Sequence, residues 1–271
     1  VESLMYQKLG NASDYIIDPS FAIDAFKPTS LLIVVDTQRE VLVCSHDILK
    51  KAQKLAVVDH HRRSADAITT ATISYLEPAA SSTSEIVTEI IQVFFEKQPK
   101  MPLEATALLA GISLDTKYFV FNTGVRTFDA ASYLRRCGAD TGLVKQMFQD
   151  DMLTYQARNR VVESATMLPD GIAIAVCHEE ANCQIISATA ADSLITIKGI
   201  TASFVLSSFE NQIIINARSL GTINVQRVCE HLGGGGHLAI AGVQLYDVTM
   251  ETAISMLKKA IEDYMKEEQS K

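Results

Sequence analysis

The sequence predicts an α/β protein made of a parallel-sheet domain followed by a smaller α+β domain. In the first part, short apolar runs such as Leu31–Val35 and Leu55–Val58 alternate with segments of helical spacing, which is typical of parallel strands covered by helices. In the last part, the strand-like runs lie closer together, and a closing amphipathic helix is predicted over Thr252–Lys266. A chain of 271 residues is long enough for two such domains, each with its own core.

The helices of the first part show apolar residues at helical spacing, and one of them has a clear start signal. Ser82 and Glu85 form the S-x-x-E pattern that satisfies free amide groups at a helix start. The isoleucine and valine residues that follow share one helical face. Helices are predicted over Ser82–Phe95, Leu103–Gly111 and Phe128–Arg136.

A connecting helix and a turn are predicted to separate the two domains. Residues Asp151–Thr166 are polar and helix-permissive, and Pro169-Asp170-Gly171 is a strong turn signal. We therefore predict a first domain over residues 1–150, a linker helix over 151–168 and a second domain over 169–271. The strands of the second domain are predicted at Ile172–Val176, Gln184–Ser187, Thr201–Leu206, Ile213–Ala217 and Val243–Leu245.

Composition and charge exclude several classes of protein. Apolar residues make up 48% of the chain, but no run approaches the roughly 20 that cross a bilayer, so we expect no direct membrane contact. The formal net charge of −8 argues against a groove for long nucleic acids, whereas metal ions and a few arginines could hold a small phosphorylated substrate. The five cysteines include no C-x-x-C pair, and we interpret them as reduced cytosolic thiols packed in the core.

Metal-binding side chains follow three apolar runs. Asp36 follows the first predicted strand, Asp59-His60-His61 follows the second, and Asp115 follows the apolar run 108–114. Parallel sheets bind ligands at the carboxyl ends of their strands, so these side chains are expected to meet in one crevice. Carboxylate oxygens and neutral imidazoles are ligands of divalent cations. We predict a metal site formed by Asp36, His60 and Asp115, with Asp59 and His61 in support, although a lone acid at a strand end is more often a turn or helix cap.

Four consecutive glycines near the end of the chain predict an anion-binding loop. Glycine permits positive φ angles and close backbone approach, so the amides of Gly234, Gly235 and Gly236 can converge on a phosphate. If a helix begins at His237, its amino end adds partial positive charge at the same place. The alternative is a flexible linker, but linkers rarely stop abruptly at an apolar segment.

Three arginines are candidates for phosphate contacts. Arg62 and Arg63 follow the Asp-His-His run directly, and Arg218 follows the predicted strand Ile213–Ala217. A guanidinium group can hold a phosphate through two parallel hydrogen bonds. For each of them, an ordinary exposed surface charge is the alternative.

Taken together, these motifs resemble the DHH phosphoesterases, in the subgroup that carries a DHH-associated C-terminal domain. Within that family the similarity is to the cyclic-di-AMP phosphodiesterases, and it covers nearly the whole chain in the same order. The stretches that carry it are Val58–Arg63 (VDHHRR), Tyr75–Glu85 (YLEPAASSTSE), Glu104–Lys117 (EATALLAGISLDTK), Thr127–Leu134 (TFDAASYL), Ala217–Gly221 (ARSLG) and Gly233–Leu238 (GGGGHL).

The resemblance implies two manganese ions, with magnesium or cobalt as alternatives, and hydrolysis of cyclic-di-AMP to linear pApA. It implies that Asp36 bridges both ions, that His60 and Asp115 complete the second site, and that the nucleotide not being cut is held by Arg218 and the loop Gly234–His237. It also implies a homodimer and a membrane-anchored parent protein with this region in the cytoplasm.

The sequence departs from the family pattern in one important respect. The first motif of the family, which supplies one histidine and two aspartate ligands as H-x-x-x-D-x-D, does not occur here. We therefore expect that the chain starts inside the first domain, or that this segment was lost or left out. We also expect the chain to bind metal poorly, with little or no activity of its own. A smaller departure is Gln38, where histidine is typical. The alternatives are a short-oligonucleotide exonuclease or pAp phosphatase of the same fold, or a nucleotide-binding sensor without turnover.

Overall fold

The computed structural model describes residues 16–95, 99–178 and 182–269, and a division between Gln149 and Asp150 separates two compact units. In the first unit, three parallel strands form a sheet in the order β1-β2-β3. Its strands are β1 (Leu31–Val35), β2 (Lys54–Asp59) and β3 (Ile73–Leu76), and its helices are α1 (Pro19–Ala25), α2 (His46–Lys51), α3 (Thr83–Phe94), α4 (Pro102–Asp115), α5 (Val125–Arg136) and α6 (Thr141–Met147).

The parallel sheet and the helix start at Ser82 agree with the sequence. Ser82 is the N-cap of α3, and its hydroxyl accepts a hydrogen bond of 3.0 Å from the amide of Glu85. The carboxylate of Glu85 does not return to Ser82; instead it accepts from the amide and the hydroxyl of Ser81, at 3.3 and 2.5 Å. This buried pairing fixes the turn between β3 and α3.

The expectation that Asp115 follows a strand-like apolar run, in the same way as Asp36, is wrong. Asp115 is the last residue of α4, which continues four residues beyond the predicted end at Gly111. The buried residues of the run recur at helical spacing, and the hydroxyl of Ser113 donates to the carbonyl of Leu109 one turn earlier. A short apolar run is ambiguous between strand and helix, and here packing on α3 and α5 decides for the helix.

The second unit is built on a mixed sheet of six strands in the order β4-β5-β6-β7-β9-β8. The pair β5 and β6 is parallel, and the other pairs are antiparallel. Its strands are β4 (Thr166–Leu168), β5 (Ile172–Cys177), β6 (Ala202–Phe209), β7 (Gln212–Ser219), β8 (Gly235–Gly236) and β9 (Ile240–Tyr246), and its helices are α7 (Met152–Glu163), α8 (Cys183–Leu194), α9 (Val225–Glu230) and α10 (Met250–Gln269).

Helices cover both faces of this sheet. On one face, Phe204, Leu206 and Ile215 pack with α9 and α10 in the largest apolar cluster of the unit. On the other face, α8 lies against β6 and β7 and is joined to them by hydrogen bonds. Neither α10 nor any other helix in the described ranges is long and apolar enough to cross a membrane.

Two predicted elements of the second unit are wrong. The segment Gln184–Ser187 was expected to be a strand but lies in α8, whose buried residues Cys183, Ile186, Ala190 and Leu194 follow helical spacing. No helix begins at His237: Gly235 and Gly236 form β8, and the amide of His237 donates to the carbonyl of Ile240 in a tight hairpin. The glycines permit the hairpin because Gly236 has a φ of 146°.

Candidate functional site

The ends of two parallel strands place the acids and histidines of the first unit at one edge of the sheet. Val35 pairs with Val58 in register, so Asp36, which follows β1, and Asp59, the last residue of β2, lie at the same level of neighbouring strands. Asp36 has a φ of 63°, and its amide donates to the carbonyl of Val58 at 3.0 Å. This left-handed residue ends β1 and turns the Asp36 carboxylate out of the strand direction.

Three metal-competent side chains converge at this edge. The Nε2 atom of His60 lies 3.8 Å from Oδ1 of Asp36 and 3.8 Å from Oδ2 of Asp115. Both distances exceed a hydrogen bond, so the three groups approach one another without using up their lone pairs on each other. The structure therefore brings together the strand-end Asp36, the loop residue His60 and the helix-end Asp115.

His61 lies beside this group. One ligand atom each from Asp36, His60 and His61 can be chosen so that all three lie within 4.8 Å of one another. The rings of His60 and His61 have centroids 4.3 Å apart. The Nδ1 atom of His61 is 2.7 Å from Oδ1 of Asp59, so the buried carboxylate orients this imidazole.

Asp59 and Gln38 form the buried layer beneath the two histidines. Burial alone would raise the pKa of Asp59, but hydrogen bonds from the side chain and amide of His61 and from Gln38 outweigh it, so the pKa is lowered. Nε2 of Gln38 donates to Oδ2 of Asp59 at 3.1 Å and to the carbonyls of His61 and Arg62. Sequence reasoning treated Gln38 as a minor departure, whereas the structure shows it holding the loop that carries both histidines.

The electrostatics of the site favour a bound cation. Burial raises the pKa of Asp115, and the nearby Asp36 carboxylate raises it further against the opposing effect of His60. Two carboxylates and an imidazole nitrogen are a donor set that suits a hard or borderline divalent ion. The residues present thus fit a metal ion: Asp36, His60 and His61 offer ligand atoms within 4.8 Å of one another, and Asp115 approaches the same imidazole of His60.

An unusual turn follows Asp115. Lys117, Tyr118 and Phe119 all have positive φ, at 49°, 57° and 65°. The buried Thr116 holds this turn, since its hydroxyl donates to the carbonyl of Ile112 at 2.7 Å and accepts from the amide of Phe119 at 2.9 Å. No sequence signal predicted it, because none of these residues is glycine or asparagine.

The predicted substrate-binding residues lie partly in each unit. In the first unit, Arg62 is exposed and forms no ion pair with any residue that the structure describes. In the second unit, the glycine loop lies beside a cavity of about 450 Å³ that is lined by Asn216, Gln244 and Tyr246 among others. His237 is exposed at the tip of the hairpin.

Two glycines connect β7 to the glycine loop across the sheet. Asn216 pairs with Gly242, which in turn pairs with Gly235. A Cβ atom at Gly235 would meet no neighbour within 4 Å, whereas one at Gly236 would overlap the carbonyl oxygen of Ile240. The backbone around Gly235 is therefore open to a ligand, as an anion-binding loop requires.

Arg218 lies on β7, two residues from Asn216, with 10% of its side chain exposed. Its Nε atom donates to Oδ1 of Asp192 on α8 at 2.7 Å, and Nη1 donates to the carbonyl of Ala217 at 3.0 Å. The alternative of an ordinary exposed arginine is therefore wrong: Arg218 is a buried, paired side chain.

Comparison with protein families assigns both parts of the chain. Residues 2–112 match the DHH family, N-terminal domain, and residues 170–267 match the DHHA1 domain. The chain therefore carries an N-terminal domain of the DHH family followed by a DHHA1 domain.

Two similar curated proteins are named cyclic-di-AMP phosphodiesterases. The chain is 47% identical over 264 residues to the cyclic-di-AMP phosphodiesterase PdeA of Listeria monocytogenes, covering 95% of this chain and 40% of the relative. It is 47% identical over 250 residues to the cyclic-di-AMP phosphodiesterase GdpP of Geobacillus thermodenitrificans, covering 92% and 38%. The chain thus spans about 40% of the length of these curated relatives.

A solved structure supports the fold. An exopolyphosphatase-related protein from Bacteroides fragilis superposes with a TM-score of 0.75 and 22% identity, over 94% of this chain and 76% of that chain. At this identity the likeness concerns the fold alone.

Proposed function

We propose that the chain is the catalytic region of a metal-dependent phosphodiesterase that hydrolyses cyclic-di-AMP to linear pApA. The observation that carries the proposal is the convergence of Asp36 and Asp115 on Nε2 of His60, at 3.8 Å each. The names of the relatives with 47% identity support the substrate. Because the sequence lacks H-x-x-x-D-x-D, we expect this chain alone to bind metal weakly and to turn over slowly.

The residues of the first unit would act by holding and orienting. Asp36, His60 and Asp115 would hold the metal, and the buried Asp59 keeps His61 oriented beside them. Two bound divalent ions, manganese in our proposal with magnesium or cobalt as alternatives, would neutralise negative charge on the phosphate and lower the pKa of bound water. The bound ions would offset the acidic net charge of −8, which would otherwise repel a phosphorylated substrate.

The second unit would bind the part of the nucleotide that is not cut. We propose that the loop of Gly234, Gly235 and Gly236, together with Arg218 and the exposed His237, contacts its phosphate and sugar. The amide of Gly234 itself donates to the carbonyl of Cys229, so Gly234 would contribute by its lack of a side chain. Arg62 of the first unit would contact the phosphate at the reacting end. Gly235 supports this assignment because its side of the loop is open.

The cellular setting is also a proposal. We propose that this region works in the cytoplasm as part of a dimeric, membrane-anchored parent protein. The support is the resemblance to the cyclic-di-AMP phosphodiesterases, together with a phytoplasma relative that is 35% identical over 245 residues and is named a membrane protein–large ribosomal subunit bL9 fusion protein.

The test compares three substrates with the full-length protein that contains this chain. With manganese present, hydrolysis of cyclic-di-AMP, linear pApA and pAp is followed by chromatography of the products. We expect cyclic-di-AMP to be cut fastest and to give pApA. Faster cutting of pApA or pAp would instead show an exonuclease or a phosphatase, and tight binding of cyclic-di-AMP without any turnover would show a sensor.

A further inference from the structure

The side chain of Arg218 in the second unit is held from two sides. The guanidinium group of Arg218 has three nitrogens, and two of them are used internally: Nε by the Asp192 carboxylate and Nη1 by the carbonyl of Ala217. Within the described ranges, Nη2 has no hydrogen-bond partner. With two nitrogens fixed, the direction in which the third can donate is also fixed, because the guanidinium is planar and rigid.

Asp192 itself is anchored by the packing of α8 on the sheet. The neighbouring residue Ala191 is fully buried, and its carbonyl accepts from the hydroxyl of Ser203 at 2.8 Å. Ser203 is the residue of β6 that pairs with Arg218 on β7. The helix that carries the Asp192 carboxylate is therefore hydrogen-bonded to the sheet that carries the Arg218 guanidinium, directly beside this ion pair.

A second polar contact fixes the same helix to the same strand. Nδ2 of Asn216 donates to the hydroxyl of Ser187 on α8 at 3.0 Å, and that hydroxyl is 3.2 Å from the hydroxyl of Ser207 on β6. Asn216 and Arg218 alternate along β7 and so share one face. This face carries the cavity beside the glycine loop.

We propose that Asp192 is a positioning residue for nucleotide binding, which orients Arg218 so that its free nitrogen points to the phosphate of the bound nucleotide. This inference rests on the proposed function, in which Arg218 contacts the substrate. Asp192 does not touch the substrate itself. It also balances the charge of Arg218 while the site is empty, which lowers the cost of burying a guanidinium group.

The test is a double-mutant cycle in the full-length protein, read out as the dissociation constant of cyclic-di-AMP without turnover, in calcium. Arg218→Ala should weaken binding by about tenfold to a hundredfold, the range of hydrogen bonds to charged groups. Asp192→Ala should weaken it by about tenfold, as loss of an orienting partner does, and Asp192→Asn should stay close to wild type because its amide oxygen still accepts from Nε. In the Arg218→Ala background, Asp192→Ala should have no further effect.

An NMR measurement reports the pair without substrate. The Nε–H resonance of Arg218 should be sharp and protected from exchange in the wild type and in Asp192→Asn, and broadened in Asp192→Ala. Asp263→Ala, which removes an exposed acid of α10, serves as the matched control and should change neither readout. If Asp192→Ala folds poorly, Asp192→Ser replaces it, since the hydroxyl is too short to reach Nε.

The outcomes separate the inference from the proposed function. If Arg218→Ala weakens binding but Asp192→Ala does not, the proposed function stands and the positioning role is wrong. The same holds if Asp192→Ala weakens binding equally with and without Arg218, which is what a general loss of structure would do. If Arg218→Ala leaves the affinity unchanged, the substrate contact assigned to Arg218 is wrong, and the positioning role falls with it.

Discussion

The two sheets of the molecule differ in how they hold their functional side chains. In the first unit, Ile33 and Ile73 are exposed on one face of the three-stranded sheet, and the candidate metal ligands extend from strand and helix ends. In the second unit, β6 is buried from Ala202 to Ser207 between helices on both faces. An exposed face on a parallel sheet is unusual, since such sheets are normally covered on both sides.

The two units therefore position their functional side chains in different ways. In the first unit, backbone geometry places the side chains: a left-handed Asp36, a helix that ends at Asp115, and a loop held by Gln38. In the second unit, packed side chains hold one another, as Arg218 and Asp192 do. Substitutions in the first site should therefore affect chemistry more than folding, whereas those in the second unit should affect both.

The largest expected effect is on turnover, in the first unit. His60→Ala in the full-length protein should lower the rate of cyclic-di-AMP hydrolysis by more than about a hundredfold, because it removes a proposed metal ligand rather than a supporting partner. The circular dichroism spectrum should not change. His46→Ala, at the exposed start of α2, is the matched control and should retain full activity. Activity within a few-fold of wild type in His60→Ala would contradict the metal assignment.

The next effect concerns stability and compares the two sheets directly. Leu206→Ala should lower the free energy of unfolding by about 2–5 kcal/mol, because the leucine is 0% exposed and its loss leaves a cavity. Ile33→Ala should cost less than about 0.5 kcal/mol, because the isoleucine is 55% exposed. Urea unfolding with hydrogen exchange measured for each unit checks both values. Equal costs would show that the face around Ile33 is covered in solution.

A smaller effect distinguishes two adjacent glycines. Gly236→Ala should destabilise the second unit by about 1–3 kcal/mol, because a side chain is strained at a φ of 146° and meets the carbonyl of Ile240. Gly235→Ala should change stability by less than about 0.5 kcal/mol. Thermal unfolding measures the difference, and comparable destabilisation by both substitutions would argue against the hairpin.

The smallest effect is on thiol reactivity and leaves folding and activity unchanged. Cys44 is exposed and the other four cysteines are buried, so the expectation that all five pack in the core is wrong for Cys44. Burial raises the pKa of Cys229 to about 12, which keeps it protonated and unreactive at neutral pH. Iodoacetamide at pH 8 should modify one cysteine in the folded protein, identified by peptide mapping as Cys44. Labelling of Cys229 under these conditions would show that the core around it opens.

Local patterns in the sequence were sufficient for some of these features. The strand Leu31–Val35 and the cap at Ser82 follow from residue types close in the chain, and the structure agrees with both. The strand predicted over 184–187 was wrong. Two adjacent isoleucines suit a strand, but the buried face that stabilises the helix extends to Leu194. The hairpin at Gly236 depends on pairing with Ile240, which a run of glycines does not reveal.

Contacts between distant residues were beyond the reach of sequence patterns. The pair of Arg218 and Asp192 spans 26 positions, and it depends on the packing of α8 on β7. Gln38 contacts Asp59 across 21 positions, and no periodicity indicates it. The convergence of Asp36 with His60 was expected from the rule for parallel strands, but Asp115 reaches the same place by a different route, from the end of a helix.

The left-handed turn after Asp115 has a consequence for protein engineering. Each non-glycine residue in this conformation costs about 1–2 kcal/mol, so glycine at Lys117 is expected to raise the melting temperature without altering the path of the chain. The same change at Phe119 would lose its ring stack on Phe128, with centroids 5.6 Å apart. A saturation library at these positions should therefore accept glycine at 117, retain aromatic residues at 119 and reject valine or isoleucine at both.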